Sequence, residues 1–184
     1  MNRRGFTLIE IIIVIVILSI VSAITIKFLV DSLRIYAMTV NQKTLFDEGK
    51  LALERICRDL RDARTLTTPA AGGSGSTLRF TRNNNTAQDF AGEDIRFIWS
   101  GTPGTALQKR KSQPSVTLVD LASNVSAFRV TRGATGVNEL TIDLTLSLAS
   151  GEQVTLRTKV YPKNLPTNTT YKNFKNYWEE EEST

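Results

Sequence analysis

The sequence contains no histidine and a single cysteine, Cys57. The first absence removes Ser-His-Asp and Cys-His catalysis and most zinc sites. The second removes any intrachain disulfide. Cys57 falls in a helical pattern, where it reads as a small packing residue rather than a reactive thiol. Charge is missing from Gly5 to Ile26 except at Glu10, and proline is missing from Lys27 to Arg64, where Gly49 is the one glycine. A large excess of one sign is missing as well. The net charge is +5 over 184 residues, and bases and acids are interspersed, which argues against a nucleic-acid partner. Hydrophobic residues make up 41% and charged residues 22%, so the chain suits one modest folded domain plus an extension.

What is present begins with Arg3-Arg4-Gly5-Phe6-Thr7-Leu8-Ile9-Glu10, running into Ile11-Ile12-Ile13-Val14-Ile15-Val16-Ile17-Leu18. About 20 apolar residues cross a ~30 Å hydrocarbon core, and this run is long enough. Arg3 and Arg4 on its short N-terminal side place Met1 in the cytoplasm and the bulk of the chain outside. Glu10 is anomalous, because a charge at the centre of such a helix costs roughly 2.5–3.5 kcal/mol and somewhat less near the interface. A cleaved secretory signal, with Val21-Ser22-Ala23 as its cleavage site, is weakened by that carboxylate for no gain. A plain signal anchor leaves both Glu10 and the Gly5-Phe6 junction unexplained. A third reading is a leader cut ahead of an apolar segment that stays on the mature protein.

Arg4-Gly5-Phe6-Thr7-Leu8-Ile9-Glu10 resembles the N-terminal signature of type IV prepilins and type II secretion pseudopilins. The resemblance covers residues 3–30. It implies cleavage by a prepilin peptidase between Gly5 and Phe6, methylation of the new Phe6 amine, and a part for Glu10 in subunit recruitment and assembly. It also implies other pilins or pseudopilins and an inner-membrane assembly platform as partners, with no cofactor and no metal. Elementary electrostatics fits this. Cleavage creates an α-amino cation four residues before Glu10, and pairing the two groups, within a chain or between neighbours, compensates charges that are each costly alone in an apolar medium. Gly5 lets a protease approach the backbone closely.

Beyond Lys27, apolar residues Leu29, Leu33, Tyr36, Val40, Leu51, Ile56, Leu60 and Ala63 recur mostly at three- and four-residue steps, which predicts an amphipathic helix continuing to residue 66. No proline kink is expected. Gly49 reads as a soft point, and Glu54 with Arg58 as an i,i+4 ion pair. The first half of such a helix has no domain to pack on, so it packs on lipid or on sister helices. The helix end Leu53-Glu54-Arg55-Ile56-Cys57-Arg58-Asp59-Leu60-Arg61-Asp62-Ala63 is similar to that of minor pilins and J-type pseudopilins, which implies a minor subunit.

Residues 67–76 read as a Gly/Ser-rich linker. The period then changes to two. Leu78-Phe80, Ile95-Phe97-Trp99, Val116-Leu118, Phe128-Val130, Leu140–Leu148 and Val154-Leu156 read as strands, with Leu140–Leu148 and Gln153–Tyr161 as the clearest hairpin. One face of each strand is apolar, and the second half of the long helix is the simplest wall behind it. The expected class is α+β, a long N-terminal helix, transmembrane in its first half, packed against an antiparallel pilin-like sheet. The organisation is a leader (1–5), a transmembrane helix (6–26), an amphipathic helix (27–66), the linker, a β-rich domain (77–165) and an acidic, flexible tail (166–184). Carboxylates at Asp89, Glu93, Asp94, Asp120, Glu139, Asp143 and Glu152 show no spacing that suggests a catalytic pair. The expected protein is a non-catalytic minor subunit of the bacterial inner membrane, with its globular domain periplasmic. The alternative is a membrane-tethered binding or adhesion module.

Overall fold

The computed structural model describes residues 7–87 and 89–165. The chain divides into two units, residues 1–43 and 44–184. Helix α1, Leu8–Arg61, runs without a break from the first into the second. In the first unit its large apolar side chains from Leu8 to Val40 are all exposed. Isoleucine and valine are indifferent helix formers in water. In hydrocarbon, though, only a helix satisfies every backbone group within a single segment. The hydroxyls follow the same rule. Ser19 Oγ donates to the Val16 carbonyl, and Thr25, Ser32 and Thr39 each donate to the carbonyl four residues back, at 2.8–2.9 Å. None of these needs an outside partner. This helix is long and apolar enough to cross a bilayer, and an exposed apolar surface of this extent fits membrane anchoring.

In the second unit the last turns of α1 bury Leu45, Gly49, Ala52, Leu53, Ile56, Asp59 and Leu60. Ile56 and Leu60 were expected here, as was Ala63 just beyond the helix, but Leu51 is exposed, and Gly49 and Ala52 take inward places instead. The reason is size. Gly49 and Ala52 carry too little apolar surface to register in a hydrophobic pattern, yet they let the helix come close to the sheet. A Cβ on Gly49 would stand 2.8 Å from Cδ1 of both Leu146 and Leu156. Gly49 is therefore a close-approach position rather than a soft point. The Gly49→Val protein is expected to lose about 1–3 kcal/mol by overpacking, read as a lower urea midpoint. Gly49→Ala should be nearly neutral, because improved helix propensity of about 1 kcal/mol opposes the smaller clash.

Glu54 pairs with Lys50 at 3.9 Å, not with Arg58. The helix stops at Arg61, short of residue 66. Strand β1 (Ala63–Thr68) follows at once, since its threonines favour extended backbone, and Thr65 and Thr68 pair with Thr81 and Arg79. The remaining strands are β2 (Ser74–Gly75), β3 (Thr77–Arg82), β4 (Asp94–Ile98), β5 (Thr105–Lys111), β6 (Thr117–Arg132), β7 (Leu140–Ser147) and β8 (Gln153–Val160). They form one antiparallel sheet in the order β1-β3-β4-β5-β6-β7-β8, with β2 paired to β6. The class is α+β, as expected. The 67–76 segment is not a free linker. Ser74 and Gly75 pair with Thr131 and Val130, and the Gly72 amide donates to the Gly133 carbonyl at 2.8 Å.

Two expected strands, at Val116 and Phe128, are one sixteen-residue strand, β6. It pairs with β5 up to Val125 and with β7 from Val125 onward. Asn124, in the left-handed region at φ 52°, marks the change of partner, a conformation asparagine tolerates better than most residues. Glu48 on α1 fixes this corner by accepting from the Ser123 amide at 2.5 Å and hydroxyl at 2.7 Å. The core combines Leu45, Ile56 and Leu60 with inward rows such as Leu78 and Phe80, Ile95 and Phe97, and Leu140, Ile142, Leu144 and Leu146. The Phe80 and Phe97 rings lie 6.1 Å apart as a diagonal cross-strand pair.

Candidate functional site

Two places carry the chemistry. The first is the start of α1. Thr7 precedes the helix, and its backbone amide and hydroxyl both donate to Glu10 Oε2 at 2.9 Å. In return the Glu10 amide donates to Thr7 Oγ1 at 3.4 Å. This is a capping box, in which residues three apart satisfy each other's orphan groups. Sequence reasoning gave Glu10 an assembly part and overlooked Thr7. The signal was available as Thr-x-x-Glu immediately before an apolar run. Arg3, Arg4, Gly5 and Phe6 lie outside the described residues, as does the acidic tail.

The second is a charged cluster closing one end of the core. The inward row of β3 ends in Arg82, and that of β5 ends in Lys109. Position 109 would carry an apolar side chain in an ordinary strand, which is why β5 was not expected from sequence. Arg82 Nη1 donates to Asp59 Oδ1 at 2.9 Å and to Asp89 Oδ2 at 2.8 Å. Lys109 Nζ donates to Asp59 Oδ2 at 2.7 Å and to Asp89 Oδ2 at 2.8 Å. Lys111 reaches Asp89 Oδ1 at 2.8 Å, and Asp62 lies 3.4 Å from Arg82 Nη2. The side chains of Lys109, Arg82 and Asp89 are 1%, 4% and 4% exposed. Three cations meet three carboxylates, so the cluster is neutral while each member depends on the others. Burial alone would raise the Asp89 carboxyl. The hydrogen bonds and charges of Lys109 and Lys111 outweigh it and hold Asp89 below the usual carboxylate range. The cluster ties the end of α1 to β3, β5 and the loop before β4. A cleft of 590 Å³ opens beside it, lined by Leu51, Arg55, Arg58, Asp59, Arg82 and Asp89, among others.

The other carboxylates are also engaged. Glu93, fully buried, accepts from the Phe90, Ser112 and Gln113 amides. Asp94 accepts from Arg79 and Arg96, and these bonds outweigh burial to hold its carboxyl below the usual range. Asp120 accepts from Gln108, Glu139 from Lys159 and Tyr161, Asp143 from Arg157, and Glu152 from Ser150. Each thus has a structural partner. Burial pushes the half-buried Cys57 thiol up, away from the reactive thiolate. Among the described residues no group of metal-ligating side chains converges.

Residues 1–26 match the family model described as the prokaryotic N-terminal methylation motif. No curated protein and no solved structure matches the chain. The motif, the long apolar helix and the antiparallel sheet together support a type IV pilin-like protein. The motif implies a structural subunit, processing by a prepilin peptidase and assembly with other pilins.

Proposed function

We propose that this type IV pilin-like chain is a non-catalytic minor subunit of a type IV filament machine, a type II secretion pseudopilus or a type IV pilus. Prepilin peptidase cuts it between Gly5 and Phe6, and the Phe6 amine is methylated. Before assembly, residues 6–26 hold it in the inner membrane with its N-terminus cytoplasmic and residues 44–165 on the periplasmic side. The single observation that carries this reading is the methylation motif. It falls on an apolar helix whose large side chains from Leu8 to Val40 find no burial among the described residues. Such a surface needs lipid before assembly and sister helices after it.

Glu10 has two parts in this scheme. In the free subunit its carboxylate is held by Thr7. In the filament it meets the Phe6 amine of a neighbour, which compensates both charges and fixes axial register. The mature N-terminus tests the processing step directly. Intact-mass analysis of protein from the native membrane is expected to give a chain beginning at Phe6 and carrying one added methyl group. A chain beginning at Ile24 would mean ordinary secretion, and one retaining Met1 a plain anchor. Either result overturns the proposal.

A further inference from the structure

The last turns of α1 carry a row of arginines at three-residue steps: Arg55, Arg58 and Arg61, followed by Arg64 in β1. Arg58, Arg61 and Arg64 are exposed and Arg55 is half-buried. Among the described residues none of the four has a carboxylate at ion-pair distance. Asp59 and Asp62 are committed to Arg82, and Glu54 pairs with Lys50. Arg55 and Arg58 also line the 590 Å³ cleft together with the buried Arg82, whose Nε has no hydrogen-bond partner among the described residues. The helix dipole favours Arg58 and Arg61 at this end, by about 0.3–1 kcal/mol each. It does not account for Arg55 or Arg64.

The sequence holds one dense block of opposite charge, Glu179-Glu180-Glu181-Glu182, with Trp178 just before it. The described chain ends beside the arginines. The Lys163 amide donates to the Arg61 carbonyl at 3.0 Å, and Asn164 Nδ2 donates to Asp62 Oδ1 at 3.0 Å. Leu165 is buried next to them in sequence. Fourteen further residues lead to Glu179 and reach at most about 50 Å extended. Arg55 is only about 9 Å along the helix from Arg61. A segment tethered at this range has an effective concentration in the millimolar range.

We infer that the acidic segment Glu179–Glu182 of the same chain docks on the Arg55–Arg58–Arg61 face of α1. Guanidinium–carboxylate pairs hold it there. Exposed pairs are individually weak, but four glutamates facing three or four arginines form a network. Docking of this kind weakens with added salt. It also covers a helix face that would otherwise be open to another protein.

Arginine modification by phenylglyoxal, read residue by residue by mass spectrometry, tests this on the full-length protein in detergent. At low salt Arg55, Arg58 and Arg61 should react about fivefold more slowly in the wild type than in a Glu179→Gln, Glu180→Gln, Glu181→Gln, Glu182→Gln variant, the factor for about 1 kcal/mol of docking. Arg129, exposed on β6, should react equally in both. High salt should remove the difference. Equal rates at Arg55, Arg58 and Arg61 in the two proteins would overturn the inference. Protection that grows with protein concentration would also overturn it, since the tail of a second copy would then be the occupant.

Discussion

Protein carrying Glu10→Gln is expected to be made, cut and held in the membrane as the wild type is, yet to be missing from filaments. The cap seen at Thr7 and the assembly part proposed for the carboxylate come apart in this variant. A glutamine at the third helical position still closes a capping box with Thr7, so the helix start seen in the structure survives. What is lost is the negative charge. Leaving a cation buried without its partner costs about 3–5 kcal/mol, which corresponds to far more than a tenfold drop in incorporation. Glu10→Ala should fail equally. Thr7→Ala, which loses only a cap worth about 1 kcal/mol, should assemble nearly normally. The measurement is the ratio of subunit in sheared filaments to subunit in membranes. Wild-type incorporation of the Gln variant would show that Glu10 serves only as a cap, and the assembly part would have to be abandoned.

Asp89→Ala is expected to cost the folded domain about 3–5 kcal/mol, the range for removing one member of a buried ion cluster. It strips the shared acceptor from Arg82, Lys109 and Lys111 together. The urea midpoint of the second unit in the full-length protein should fall accordingly, by more than for Asp143→Ala, whose partner Arg157 is 69% exposed. The same cluster sets an acid limit. The Asp89 carboxyl titrates lower in the folded than in the unfolded chain, so its stabilisation is complete above about pH 4 and is lost as the pH falls further. Asp94 acts in the same direction, with a smaller share because its arginines are partly exposed. An Asp89→Ala protein whose stability and acid profile match the wild type would show that the cluster is not what joins helix to sheet.

How legible each part was depended on the range of the physics behind it. The apolar helix was readable because membrane compatibility depends on local composition, and the Leu140–Val160 hairpin because its alternation is unbroken on both sides of a short turn. The Thr7–Glu10 cap was equally local and was readable, though overlooked. Strand β5 was not, since Lys109 occupies a core position and looks like surface in one dimension. Its burial makes sense only once Asp59, 50 residues away in sequence, and Asp89 stand beside it. Gly49 misled in the same way, as a weakness in an isolated helix and a point of contact in a packed one.

By itself, then, the sequence determined the apolar N-terminal helix, its motif with one misplaced acid, and a two-period β region behind it. These follow from composition and spacing over a few turns or strands. The tertiary structure alone decided which face of the helix is buried, where β6 changes partner, and that six scattered charges form one neutral cluster. Those outcomes depend on groups brought together across the chain, where size, register and mutual neutralisation outweigh any residue's own preference.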